Sequence, residues 1–199
     1  MKNLIKILLL MLMVKSYSQV INIKDAGKFS NAPGQYYKDI DHELDPYVGT
    51  WLYTNGSTTL KFEFVKVENL SNSRWSEDYI IGGYEYKIGS TILVNTIPDI
   101  PMVYINPIQH KVHGNRIFKK NNYPLCPECD VNELRLSLTF NEIASTMVGT
   151  LILRKTMVGG QEAIKLNLDV SGTITYLAGT PPPPSNFTVP VGDYVLIKQ

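Results

Sequence analysis

The chain has 199 residues, with 19 Lys+Arg against 18 Asp+Glu and a formal net charge of +1. Neither sign of charge dominates, which argues against a nucleic-acid-binding surface or electrostatic attachment to an anionic membrane. The length suits a single domain with a sizeable core.

The first 18 residues read as an export signal rather than as part of the fold. Lys2 and Lys6 precede the apolar run Ile7 to Val14, and Ser16 and Ser18 put small residues where a signal peptidase reads them. Cleavage after Ser18 removes Lys2, Lys6 and Lys15 and no acid, leaving 16 basic and 18 acidic residues and a net charge of −2. The apolar run is too short to anchor the chain, and no cysteine stands near the cleavage site to carry lipid. The expected product has no transmembrane segment, is not lipid-anchored, and resides in the periplasm or outside the cell.

Residues 19–46 carry little pattern. Ala32-Pro33-Gly34-Gln35 is a turn, and Asp39, Asp41, Glu43 and Asp45 form an acidic run up to Pro46. Nothing else in the sequence converges on Asp41-His42-Glu43 as metal ligands. A solvated lead-in, with one helical turn capping a sheet, is the expectation.

The regular pattern starts at Tyr47 and runs to the end of the chain. Trp51 and Tyr53 share a strand face, and Asn55-Gly56 supplies residues that tolerate the positive φ of a tight hairpin turn. Leu60, Phe62 and Phe64 then alternate with Lys61 and Glu63, giving one apolar and one polar face. Val65 and Val67 continue on the other parity, which fits either a bulge after Phe64 or the end of the buried face. Tyr84, Tyr86 and Ile88 share the face of a further strand, where Gly82-Gly83 marks a bend, a bulge or a close backbone approach. Gly89-Ser90 turns that strand into Thr91 to Ile97, a second hairpin.

Pro98, Pro101 and Pro107 restrict any strand around Met102 to Ile105 to a short or edge one. His110 and His113, three apart, point to opposite faces of a strand and make a poor metal pair. Asn115 to Phe118 reads as a small ribbon. Cys126-Pro127-Glu128-Cys129 admits three readings: a local disulfide, part of a zinc site completed by the histidines, or a redox pair. No amphipathic helix follows to stabilise a thiolate, and no second cysteine pair completes a zinc site. The disulfide, stapling a polar loop from Lys119 to Asn132, is the expectation.

The last third returns to strands. Leu134, Leu136, Leu138 and Phe140 alternate with polar residues, Met147 to Lys155 and Ala163 to Val170 flank a Gly159-Gly160 turn, and Gly172 to Leu177 suggests a short strand. Pro181 to Pro184 reads as a stiff extended spacer, with a ligand for an aromatic groove as the other reading. Tyr194 to Lys198 closes the series. Eight to ten strands with almost no helix leave a barrel or a sandwich, and the strand lengths and glycine bends favour an antiparallel up-and-down barrel over residues 47–199.

Gly49-Thr50-Trp51 resembles the Gly-x-Trp signature of lipocalins and other calycins. That resemblance implies a lipocalin-like barrel with Trp51 plugging one end and Lys198 as the cation of the final strand that would cover it. Tyr47-Val48-Gly49-Thr50-Trp51, Thr54-Asn55-Gly56, Ile81-Gly82-Gly83-Tyr84, Leu134 to Phe140, Phe187-Thr188-Val189-Pro190 and the ending Leu196-Ile197-Lys198-Gln199 together resemble a family of small exported Bacteroidota proteins without assigned activity. It implies fold and export, and no mechanism.

Function is therefore constrained mainly by exclusion. There is no Gly-x-Ser-x-Gly elbow, phosphate loop or His-Glu-x-x-His, so no catalytic residue, metal site or cofactor is assigned and a non-enzymatic protein is expected. Two roles remain. One is binding of a small apolar ligand inside the barrel, lined by Phe62, Phe64, Tyr84, Tyr86, Leu136, Leu138 and Phe140. The other is a structural or protein-interaction module of the cell envelope, in which the same side chains simply fill the core. Gly49, Trp51, Asn55 and Gly56 are assigned to structure under either role, and the oligomeric state is left open.

Overall fold

The structure, a computed structural model, describes residues 19–28, 33–71, 74–104, 109–142, 145, 147–173 and 186–199. Residues 1–18, expected to be an export signal, and the proline run Pro181 to Pro184 lie outside the described residues. The first hairpin joins β3 (Gly49–Asn55) to β4 (Thr58–Ser71). Asn55 pairs with Thr58, so the two-residue turn is Gly56-Ser57, one position later than expected. Gly56 alone takes the positive φ, +57°, which is the requirement for glycine first in such a turn. The bulge also moves. Register runs unbroken past Phe64 and Val65 and shifts between Val67 and Leu70, so the change of parity after Phe64 marks the end of the buried face.

β5 (Ser76–Ile88) pairs with three further strands besides β4, and this sharing explains its two central glycines. A Cβ at Gly82 would stand 2.6 Å from the Glu63 carbonyl, and one at Gly83 would stand 2.6 Å from the Thr96 carbonyl. Close backbone approach on both faces is thus the reason for the pair. Beyond them, β5 forms the expected second hairpin with β6 (Thr91–Asn95), which leaves the barrel path. In its middle, β5 pairs instead with β7 (Val112–Phe118), through Ile80↔Gly114 and Gly82↔Val112. The ribbon expected at 115–118 is therefore a full barrel strand, while residues 102–104 form no strand.

The rest is a meander: β8 (Arg135–Asn141), β9 (Met147–Val158), β10 (Gln161–Thr173) and β11 (Gly192–Lys198). β11 returns to β3 through Ile197↔Leu52 and Lys198↔Trp51. The order β3-β4-β5-β7-β8-β9-β10-β11 closes an eight-stranded antiparallel barrel, with β6 and two N-terminal strands outside it. No α-helix occurs among the described residues. Closure leaves no barrel edge unpaired and puts every second side chain inside.

The lead-in is more structural than its composition suggests. β1 (Val20–Asn22) pairs in parallel with β2 (Tyr36–Lys38), which pairs in parallel with the start of β5. Ile21, Ile23, Tyr37, Leu44 and Tyr47 join the hydrophobic core. The acidic run is not simply solvated. The Asp39 carboxylate is fully buried, accepting the Glu43 and Leu44 amides at 2.8 and 3.0 Å and the Lys66 ammonium at 2.8 Å. Asp78, also buried, accepts the Asp39 and Asn69 amides. Three donors around one carboxylate offset its desolvation.

Candidate functional site

The interior comes first, because it holds the side chains expected to line a ligand cavity. Leu60, Phe62, Phe64, Tyr84, Leu136, Leu138, Phe140, Leu151 and Leu153 are each at most 1% exposed, and Tyr86 is buried as well. Phe62 stacks on Phe64 with ring centroids 5.5 Å apart, meets Tyr84 at 6.0 Å, and Tyr84 meets Phe140 at 4.7 Å. These contacts run along β4, between β4 and β5, and from β5 to β8, and the rings are buried among their neighbours.

Both barrel ends are covered. At the end where β3 begins, Trp51 is 1% exposed and its indole donates to the Tyr47 carbonyl at 2.8 Å. The Tyr47 hydroxyl reaches across to the carbonyls of Leu134 and Leu153, and the Lys198 ammonium lies 5.5 Å from the Trp51 ring centroid. At the other end, residues 186–190 form a strap. Val189 is fully buried, Phe187 meets Phe140 edge-on at 5.4 Å, Glu142 accepts the Thr188 amide at 2.7 Å, and Tyr194 donates to the Pro190 carbonyl.

One concavity lies outside, on the wall formed by β8, β9, β10 and β11. It is a groove of about 540 Å³ between the loop after β7 and the outward residues Arg135, Ile152, Arg154, Lys165, Asn167, Asp193 and Val195. Cys126 and Cys129 in that loop are joined by a disulfide, with their Cα atoms 5.3 Å apart. The bond uses both thiols, so the nearby Cys126, Glu128 and Cys129 trio offers no thiolate pair to a metal.

Arg135, rather than the disulfide alone, shapes this loop. Its guanidinium donates to the carbonyls of Pro124, Lys119 and Asn122 at 2.7, 2.9 and 3.0 Å. The residue is 3% exposed, and burial, with Arg154 close by, pulls its pKa down. Arg154 makes a two-point contact with Glu133, at 2.7 and 3.1 Å, and reaches Glu128 at 2.7 Å. The Arg154 bond holds the Glu133 carboxyl below its usual range. Neither arginine stands out in the sequence, since alternation puts both on the outward face. Their burial depends on a loop folding back over the wall, which no local pattern encodes.

The histidines are occupied elsewhere. His113 Nδ1 lies 2.9 Å from the His110 carbonyl and its ring stacks against Tyr79 at 6.2 Å, while His110 meets Tyr104 edge-on at 4.7 Å. They sit at the start of β7 and the disulfide loop follows its end, so strand geometry separates the histidines from the cysteines. Leu125, 66% exposed, lines the groove from the loop, and Tyr123 is 87% exposed.

The fold thus defines a small closed antiparallel barrel with buried aromatic rings in contact inside it and a groove on its outer wall. The chain belongs to DUF6705, a family of unknown function, whose model matches residues 1–199. No curated protein and no solved structure matches it.

Proposed function

We propose that the chain is an exported, non-catalytic protein that acts through its outer wall as an interaction module of the cell envelope or its surroundings. The carrying observation is the packed interior: the rings that would line a ligand cavity are in contact with one another. Export is supported by the leader-like residues 1–18 and by a disulfide, which persists in oxidising compartments. The absence of catalysis is supported by histidines held by a backbone carbonyl and by neighbouring rings at the far end of β7 from the bonded cysteines.

On the wall, the groove beside the stapled loop is the favoured contact. It combines exposed apolar side chains, Leu125 and Val195, with the Lys165 cation. Such a mixed surface suits a protein partner better than a small apolar molecule. A photo-crosslinking residue placed at Leu125 tests this in the native host, with the same group at Ile92, exposed on β6, as the control. A discrete product from position 125 alone is expected. No product there, or the same products from both positions, contradicts the reading.

A further inference from the structure

Three cations stand in one row across the wall of the groove. The register Leu136↔Leu153 sets Arg135 beside Arg154, and Arg154 pairs directly with Lys165 on β10. Like charges opposite each other on neighbouring strands oppose the fold unless a group of the other sign lies between them. The loop supplies that sign unevenly. Glu133 holds Nε and Nη2 of Arg154 in a two-point contact, and its side chain is only 23% exposed. Glu128 touches Nη1 alone, at 2.7 Å, and its side chain is 66% exposed. Asp193, the other acid of the groove, accepts from Asn167 at 2.8 Å. Lys165 is exposed, and its ammonium has no acid or acceptor within reach among the described residues.

We propose that Arg154 and Lys165 form a carboxylate seat, held in reserve by Glu128, for an acidic segment of the protein partner. This deepens the protein-partner reading of the groove and rests on it. A single exposed contact between a carboxylate and a guanidinium contributes little and exchanges readily, whereas a covered two-point contact fixes the arginine. Glu133 therefore orients Arg154, and Glu128 takes a place that an outside carboxylate can take instead. The newcomer meets Arg154 Nη1 and the Lys165 ammonium together, which Glu128 does not. Charge narrows the occupant further. Arg135, Arg154 and Lys165 are matched by Glu128, Glu133 and Asp193, so one negative charge must enter when Glu128 leaves. A carboxylate restores the balance, and a phosphate dianion exceeds it.

The register also sets what should accompany the carboxylate. Lys165 pairs on its other side with Val195 of β11, 43% exposed, and Leu125 borders the groove from the loop. At the usual strand spacing Val195 stands about 7 Å from the midpoint between Arg154 and Lys165, close to the separation of side chains two apart on an extended segment. The segment that fits is thus extended, with Asp or Glu two residues from an apolar side chain.

Fluorescence anisotropy of labelled, end-blocked peptides with the mature chain tests the seat. The probes are Gly-Ser-Glu-Thr-Leu-Ser-Gly and its two forms with Gln for Glu or Ser for Leu. Either replacement should weaken binding about fivefold or more. Lys165→Glu, which plants the chain's own carboxylate opposite Arg154, should abolish the preference for Glu over Gln. Glu128→Gln, which removes the competing carboxylate, should tighten binding of the Glu peptide. Equal binding of the Glu and Gln peptides overturns the proposal, as does no binding of any probe or a Glu preference that survives Lys165→Glu. Equal binding of the Leu and Ser peptides overturns the acidic-and-apolar segment, and unchanged or weaker binding to Glu128→Gln overturns the exchange. Should Lys165→Glu fail to fold, Lys165→Gln removes the cation alone and must also lose the preference. Crosslinking from Leu125 in the host separates the two levels of the reading. A product there without any peptide preference removes the carboxylate seat and leaves the interaction module, whereas a preference without a product removes the partner.

Discussion

At His113, burial opposes charge more strongly than the neighbouring His110 carbonyl favours it, and the pKa falls below the ordinary 6.5. His110 is shifted the same way by its own burial. Above the ordinary value both folded and unfolded chains hold these rings neutral, and the full stability is present. As pH falls below it, the unfolded chain binds protons that the folded chain refuses, so stability is lost until the lower folded pKa is reached. The urea midpoint should therefore drop between about pH 7.5 and about pH 5, before most carboxylates titrate. His113→Phe keeps a ring against Tyr79 and should lose less over that interval. An equal loss in the two proteins contradicts the assignment. At this scale the sequence marked His110 and His113 as a poor metal pair, yet Asp39, which is buried beside Lys66 from a distant strand, looked like one more solvated acid.

The loop between β7 and β8 shows why an element can be legible in outline and still be misjudged. Two cysteines three apart announce a staple, but a ring that small removes little freedom from the unfolded chain, on the order of 2 kcal/mol or less. Arg135, itself buried, makes three bonds to part-buried loop carbonyls, and hydrogen bonds from a charged donor contribute about 1.5–3 kcal/mol each. Arg135→Leu should therefore lower the urea midpoint further than the double variant Cys126→Ser, Cys129→Ser. It should also abolish hydrogen-exchange protection of the Cys126 and Cys129 amides, which donate within the loop. The reverse ranking would make the disulfide the organiser. The hairpins were easier to read because their turn residues and alternation are local, and even there the β3–β4 turn lay one residue on, at Gly56-Ser57.

For the whole molecule, eight to ten expected strands, their lengths and the glycine bends were enough to favour a closed barrel over a sandwich, since closure is the economical way to pair every edge. Three features were not readable: β6 leaving the barrel path, β7 taking its place beside β5, and the N-terminal segment entering the core. Each depends on pairing between residues far apart in the chain. The same limit applies to the outer groove, which exists only once the disulfide loop lies against β8 to β11. Whether the apolar inward face surrounds a space or fills it also depends on side-chain packing inside the barrel, where Phe62 meets Tyr84 and Tyr84 meets Phe140.

That packing is the centre of the functional argument, and native mass spectrometry of the protein purified from its own host tests it most directly. The expected mass is that of the chain without residues 1–18 and two hydrogens lighter for the disulfide, with no stoichiometric apolar molecule attached. A retained apolar ligand, lost only on unfolding, would contradict the filled barrel and return the function to its interior.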